Sequence, residues 1–440
     1  MKPITAETLY QFRNAHSFLF SPDGSLGAFV VQQANEEKNG YDNDLYLLEG
    51  KKVRQMTASH DVSSFLWSEE GDLLFAAARS GKEQRMQKEG IPFTACYRLS
   101  PRGGEARFAF SVPLKVIGIQ SLSQRRYLLT AVVNKEDPDW TMLEDKQREE
   151  VMEQRKKVGY YTFDELPFWS QGRGVWNGNR NALYLYDEKD GSCRRITGTH
   201  FETVSAKAFG EEIYFTGSDF TDIKPFRAGA FCYHLGDGTT TTLIAQDTAN
   251  VSAVYPWGDR VLVVAAIGGT LNDTPDFYTV KRDGSDLKLL ADWDSCVGHG
   301  GLVSDARGGG GQGAKLMGDQ FYFLSILEND ACLCCLYPDG SIKTHLTPKG
   351  SADFFDVTKE RMVYGGFFDS RLVELYEDGV LLTHFNDRVK EEYSILPVEP
   401  NTFTASDGYT IHGWAIKPRD YLPGKKYPAI LNIHGGPRGT

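Results

Sequence analysis

The sequence contains no run of about 20 apolar residues, the length a helix needs to cross a bilayer. Its longest apolar runs, such as Val261 to Ile267, have the length of buried strands. The first residues, Met1-Lys-Pro-Ile-Thr-Ala-Glu7, lack the apolar stretch and small-residue cleavage site of a secretory signal. Basic charge is also short: 48 Lys and Arg against 59 Asp and Glu give a net charge of −11. Phosphate binding needs clustered cations, so this balance argues against a nucleic-acid partner. Seven cysteines make an odd count with no repeated spacing, which speaks against a disulfide framework. Nine histidines are scattered with no His-Glu-x-x-His, so neither a metal nor another cofactor is expected. These absences predict a reduced, cytoplasmic protein without membrane or nucleic-acid partners. They leave the oligomeric state open.

What is present is β structure, repeated. At 41% hydrophobic and 24% charged residues over 440 positions, the chain can bury a sizeable core and is too long for one ordinary domain. Short apolar runs and turns recur in units of four strands. Phe18–Phe20, the turn Ser21-Pro-Asp-Gly24, Leu26–Gln32, Asp44–Leu48 and Lys52–Met56 make the first. Phe65–Ser68, Leu73–Ala78, Ala95–Leu99 and Ala106–Phe110 make the second, and others start near Val116, Val204, Ala253, Leu302 and Phe354. Asp-Gly pairs at 23–24, 190–191, 237–238, 283–284, 339–340 and 378–379 are hairpin signals. Four-strand units at roughly 40–50 residue spacing predict a seven-bladed β-propeller over 1–390; a large β-sandwich is the alternative. Helical periodicity is nearly absent.

One unit is interrupted by an insertion over about 136–180. Trp140, Leu143, Gln147 and Val151 share one side of a predicted amphipathic helix within 139–157, capped by Asp137 or Asp139. It reads as a projection from one face of the disc, either a binding element or a solvated decoration. Asn386–Glu392 reads as a charged linker. Beyond it, Asn401–Lys417 forms a hairpin turning at Asp407-Gly408, and Tyr427–His434 is a continuous apolar run, as expected of a strand buried on both faces. That run delivers Gly435-Gly436-Pro437.

A buried strand ending in His-Gly-Gly is the strongest chemical signal. In α/β-hydrolases such a segment supplies a backbone N–H to the oxyanion hole, with glycine letting the substrate carbonyl approach. With Phe403-Thr-Ala-Ser-Asp-Gly-Tyr-Thr-Ile-His-Gly-Trp414 before it and Ser21-Pro-Asp-Gly24 in the first unit, the whole chain resembles the N-terminal part of a prolyl oligopeptidase family serine peptidase. The resemblance is to its acylaminoacyl-peptidase and dipeptidyl-peptidase-like branch. It implies that 391–440 opens an α/β-hydrolase domain, that Gly436 is the oxyanion donor, and that His434 and Gly435 shape the turn. It also implies a short peptide substrate cleaved through an acyl-enzyme, with the propeller limiting access. Glu149 and Glu150 match in type the paired glutamates by which dipeptidyl peptidases hold a free N-terminus, and Glu165 and Arg173 are candidate rim residues.

The departure from the family is that no serine here has glycine at both −2 and +2, so the Gly-x-Ser-x-Gly elbow is missing. The family's triad lies C-terminal to His-Gly-Gly. The expectation is therefore a truncated chain, inactive alone; the alternative is a non-catalytic propeller that binds a peptide or protein. Gly308–Gly313 satisfies Gly-x-Gly-x-x-Gly but precedes a strand, so it reads as a loop. Cys332, Cys334 and Cys335 read as core residues, because alternation puts Cys335 on the opposite face.

Overall fold

A computed structural model of the chain describes residues 1–160, 162–172, 174–268, 270, 273–298, 307, 310–347 and 349–433. Among these the chain forms seven consecutive four-stranded antiparallel meanders. Five are separate sheets, and the last two are joined by a single parallel bridge, Ala331 to Ser351. The first comprises Arg13–Phe20, Leu26–Asn35, Gly40–Glu49 and Lys52–Gln55. The first described strand of the sixth is Ala314–Met317; the expected start near Leu302 lies outside the described residues. The chain divides into two compact units, residues 1–64 with 293–440, and residues 65–292.

The turns follow from their residues. In all six Asp-Gly pairs the glycine is left-handed, with φ from 73° to 84°, a region closed to most side chains. Where Ser or Thr follows, the aspartate locks the turn. Asp23 accepts from the Ser25 amide at 3.0 Å and the Ser21 hydroxyl at 2.6 Å, and these hydrogen bonds, Ser21's first, lower its carboxyl to about 2. Asp237 with Thr239, Asp283 with Ser285 and Asp339 with Ser341 repeat the device. The first strands of the first, fourth, fifth and seventh meanders share a second feature. A bulge interrupts pairing between His16 and Leu19, Thr203 and Ser205, Val251 and Ala253, and Ala352 and Phe354, and each adds local twist.

Within the unit of residues 1–64 and 293–440, the first sheet packs on the last. Ala15, Phe18, Phe20 and Phe29 meet Phe354, Val363 and Leu375 in one buried cluster. Among the described residues no strand is shared between these sheets; side chains join them instead. Asn386 accepts from the Arg13 amide at 3.0 Å and donates to the Arg13 carbonyl at 2.8 Å, as a neighbouring strand would. Its own amide donates to Glu374 at 2.8 Å. Glu374 is buried, which raises its carboxyl above the usual range despite hydrogen bonds from Thr383 and Asn386.

Three expectations are corrected. The segment read as a linker is instead helical over Asp387–Glu392, with Val389 buried against Phe12 and Leu372. The helix expected within 139–157 is two elements: a 3-10 turn at Trp140–Met142 capped by Asp139, then α2, Asp145–Lys156, opened by Glu144 and Gln147. Gln147 is spent on that cap and is exposed. A further helix, α1, Gly81–Glu89, was not foreseen; Ser80 and Glu83 form its capping box. The largest difference lies at the tail. Residues 427–433 form no strand, and Ile430, Leu431 and Ile433 are 97%, 83% and 76% exposed. A strand buried on both faces needs a neighbour at each edge, and no described strand pairs with this run. Cys332, Cys334 and Cys335 are buried, unpaired strand residues, as expected.

Replacing Asn386 with Ala strands the Arg13 amide and carbonyl, while the backbone amide of residue 386 keeps its bond to Glu374. The expected outcome in urea denaturation is a loss of about 2–3 kcal/mol, from leaving buried polar groups unpaired.

Candidate functional site

The insertion, in the unit of residues 65–292, carries the side chains that sequence reasoning selected. Trp140 is 2% exposed and joins a core of Phe110, Tyr127 and Tyr186, so the insertion is rooted rather than draped. Its helix α2 is paired by charge with α1 of the second meander: Lys82 and Arg85 of α1 bond Asp145 and Glu149 of α2. Glu149 is thereby committed to a helix–helix ion pair. Glu150 is mainly exposed, with Lys146 at 3.9 Å one turn earlier. Glu149, Glu150 and Glu165 face different partners, Arg85, Lys146 and Arg180.

Glu165 corrects the expectation of a rim residue. It is buried and locked in a network that the sequence did not suggest. Arg180, fully buried, donates to both its oxygens at 3.0 and 2.6 Å, the Gly178 amide donates at 2.9 Å, and Lys135 lies at 3.0 Å. Arg180 spends its remaining donors on the carbonyls of Asn179, His200 and Phe220 and stacks 3.9 Å from the Phe220 ring. Burial alone would raise the Glu165 carboxyl. The bonds from Arg180, Gly178 and Lys135 outweigh it and hold the group below its usual range. A carboxylate so fully paired has no lone pair to offer a ligand; its work is to pin the insertion to the strand Asn179–Asp187.

Above this anchor the insertion presents apolar surface. Phe163 and Phe168 pack with centroids 4.5 Å apart, and Trp169 pairs with Val175 across a two-stranded hairpin. Leu166 exchanges backbone bonds with the 222–224 segment. Trp169, Leu166, Ile223 and Phe226 are 55%, 55%, 62% and 80% exposed. Large apolar groups held outward on a rigid base mark a contact surface. Sequence reading reached part of it, through Glu165-Leu-Pro-Phe-Trp169, but not Ile223 and Phe226, which come from the loop between the second and third strands of the fourth meander. Arg173 and the tail residues His434, Gly435 and Gly436 lie outside the described residues.

No family model matches the sequence. Against single proteins the chain is 22% identical to an uncharacterized peptidase, YuxL, of Bacillus subtilis, over 99% of this chain and 67% of that protein. Among solved structures it matches an acylaminoacyl peptidase in complex with Z-Gly-Gly-Phe-chloromethyl ketone, with a TM-score of 0.71 at 18% identity. That match covers 97% of this chain and 61% of the other. The chain resembles prolyl oligopeptidase family peptidases along nearly its whole length. It also matches the β-propeller domain of the trilobed protease from Pyrococcus furiosus, with a TM-score of 0.54 at 16% identity over 86% of this chain and 97% of that domain. At these identities the structural likeness speaks to fold, and the fold is mainly β with a propeller. The chain spans 61% of the length of the acylaminoacyl peptidase.

The Glu165 anchor gives a pH signature. Its carboxyl is depressed in the folded state, so its contribution is complete above the ordinary glutamate range and lost as pH falls below about 4. Protection of the Gly178 amide from hydrogen exchange, once corrected for intrinsic rate, is expected to drop over that window. In Glu165→Gln it is expected to be weaker at neutral pH and flat through the same window. Arg180→Met removes the bidentate partner of a buried carboxylate, leaving it Lys135 and the Gly178 amide, and is expected to cost about 3–5 kcal/mol in urea denaturation.

Proposed function

We propose that this chain is the propeller-bearing portion of a prolyl oligopeptidase family serine peptidase acting on short peptides. The observation that carries the reading is extent: likeness to peptidases covers 99% of the sequence and 97% of the structure. In this reading the seven meanders are seven blades over 1–390, and residues 391–440 open the catalytic α/β-hydrolase domain. The protein works in the cytoplasm.

The chemistry assigned to this chain is electrostatic. Attack on a peptide carbonyl turns its oxygen into an oxyanion, and the Gly436 N–H, presented by a turn that His434 and Gly435 shape, donates to it. One such donor contributes on the order of 2.7–4 kcal/mol to the transition state. The nucleophile, its base and the orienting carboxylate belong to residues C-terminal to Thr440, because no Gly-x-Ser-x-Gly occurs within these 440 residues. An oxyanion donor without a nucleophile forms no acyl-enzyme, so the chain alone is inactive. The exposed surface around Trp169 and Phe226 supplies contact area for a peptide.

The test compares the 440-residue chain with a protein extended through the next Gly-x-Ser-x-Gly, Asp and His. Both are assayed on N-acylated and free-amine peptide anilides and treated with a fluorophosphonate. The extended protein is expected to hydrolyse at least one anilide and to take up one equivalent of reagent, and the short chain to do neither. Turnover by the short chain would overturn the assignment of the triad. A coding sequence that ends at Thr440, or an inert extended protein, would favour a propeller that binds peptides without cleaving them.

A further inference from the structure

The fourth meander carries a cluster that the peptidase reading does not use. Its second and third strands, Glu212–Asp219 and Gly229–His234, pair so that Glu212 lies opposite His234 and Tyr214 opposite Cys232. Cys232 and His234 are two residues apart on one strand and so share a face, and Glu212, directly across from His234, shares it too. The Glu212 carboxylate, the Cys232 sulfur and a ring nitrogen of His234 all lie within 4.8 Å of one another. Cys232 is buried; the other two are partly exposed. Glu212 and His234 line a surface cavity of about 550 Å³ together with Glu211, Asp237 and Arg282, while the buried Cys232 sulfur is within reach of both of them rather than on the cavity wall.

We propose that Glu212, Cys232 and His234 form a binding site for a borderline-soft divalent cation, Zn²⁺, on the rim of this sheet.

Three observations support it. The first is spacing. Tetrahedral zinc with a sulfur at about 2.3 Å and nitrogen or oxygen at about 2.0–2.2 Å holds its ligands roughly 3.3–3.7 Å apart. His234 Nδ1 and Glu212 Oε1 stand 3.8 Å apart, too far for a hydrogen bond, and small rotamer adjustments close the set. The second is orientation. His234 Nε2 lies 3.2 Å from the Thr241 hydroxyl. With the ring proton directed there, Nδ1 keeps its lone pair on the Glu212 side, the outer-shell arrangement that metal-ligating histidines use. Tyr214 likewise fixes Glu212, donating to Oε2 at 2.7 Å. The third is charge. Three carboxylates, Glu211, Glu212 and Asp237, line the cavity with one guanidinium, which favours a cation at its floor, and its open side leaves the fourth position to water.

Two groups oppose binding, and both give it a signature. Burial, with Glu212 alongside, pushes the Cys232 thiol up to about 11. It is therefore no nucleophile, and the metal must displace its proton to bind sulfur. Arg282 Nη1 contacts both Glu212 oxygens, at 2.7 and 2.8 Å, and competes with the metal for them. Its other nitrogen already holds the Gly258 carbonyl at 3.1 Å, so the guanidinium keeps a partner when it gives way.

The experiment titrates the full 440-residue chain, reduced and metal-free, with Zn²⁺ against a chromophoric chelator, and repeats the titration with Co²⁺. One equivalent is expected to bind, with a thiolate-to-cobalt absorption band. Cys232→Ser is expected to abolish the band, and Cys232→Ser and His234→Gln each to weaken Zn²⁺ binding by about tenfold or more. Arg282→Gln is expected to tighten it, the opposite of what loss of a purely structural contact would do. Circular dichroism verifies that each variant is folded, and the cobalt spectrum of the unmodified chain reads the sulfur ligand without any substitution. Binding that survives Cys232→Ser, a cobalt complex without the band, no stoichiometric binding, or an Arg282→Gln variant that binds more weakly would each overturn the assignment.

Discussion

A four-stranded antiparallel sheet cannot bury two faces by itself, and that constraint organises the molecule. Each meander is apolar on both sides along its middle strands: Phe29, Val30, Leu45 and Leu47 in the first, and Val261 to Ala265 in the fifth, are nearly inaccessible. Such strands are stable only when a neighbouring sheet covers each face. Repetition solves this for sheets with a neighbour on either side, and it leaves the first and last needing each other. Asn386 answers that need at the level of single atoms, presenting to Arg13 the donor and acceptor that a fifth strand would have supplied.

The same logic explains why the insertion is firmly held. A loop breaking into a sheet between its second and third strands must not pull them apart. Trp140 fills the core beneath it, and Glu165 returns to the strand at Arg180. All five guanidinium hydrogens of Arg180 are satisfied, so the ion pair's desolvation is offset by complete bonding. With the base fixed, the outer side chains are free to be apolar and exposed, which is what a recognition surface requires.

How much of this could be read from the residues varied with the range of the interaction involved. The Asp-Gly turns, the strand alternation and the core cysteines depend on neighbours one or two positions apart, and these were legible. The short helix after Ser80 was not, because nine residues bracketed by strands carry little periodicity and only the Ser80–Glu83 box marks it. The role of Glu165 was hidden because its partners sit at 135, 178 and 180, joined to it only once the hairpin closes. Glu212, Cys232 and His234 posed the same difficulty: the sequence displays a Cys-x-His pair, and strand register alone brings the glutamate across. The tail strand shows the converse. Its apolar pattern was plain, but a strand is a relation between segments, and the described residues hold no partner for it.

That bare tail has a practical corollary for anyone handling these 440 residues in isolation. Ile430, Leu431 and Ile433 are largely exposed, and so are Phe403, Trp414 and Ile416 of the hairpin that precedes them in the chain. A short apolar run without charge is the kind of segment that self-associates. Solubility would then be governed by these few positions near the C-terminus rather than by the well-packed sheets that make up most of the mass.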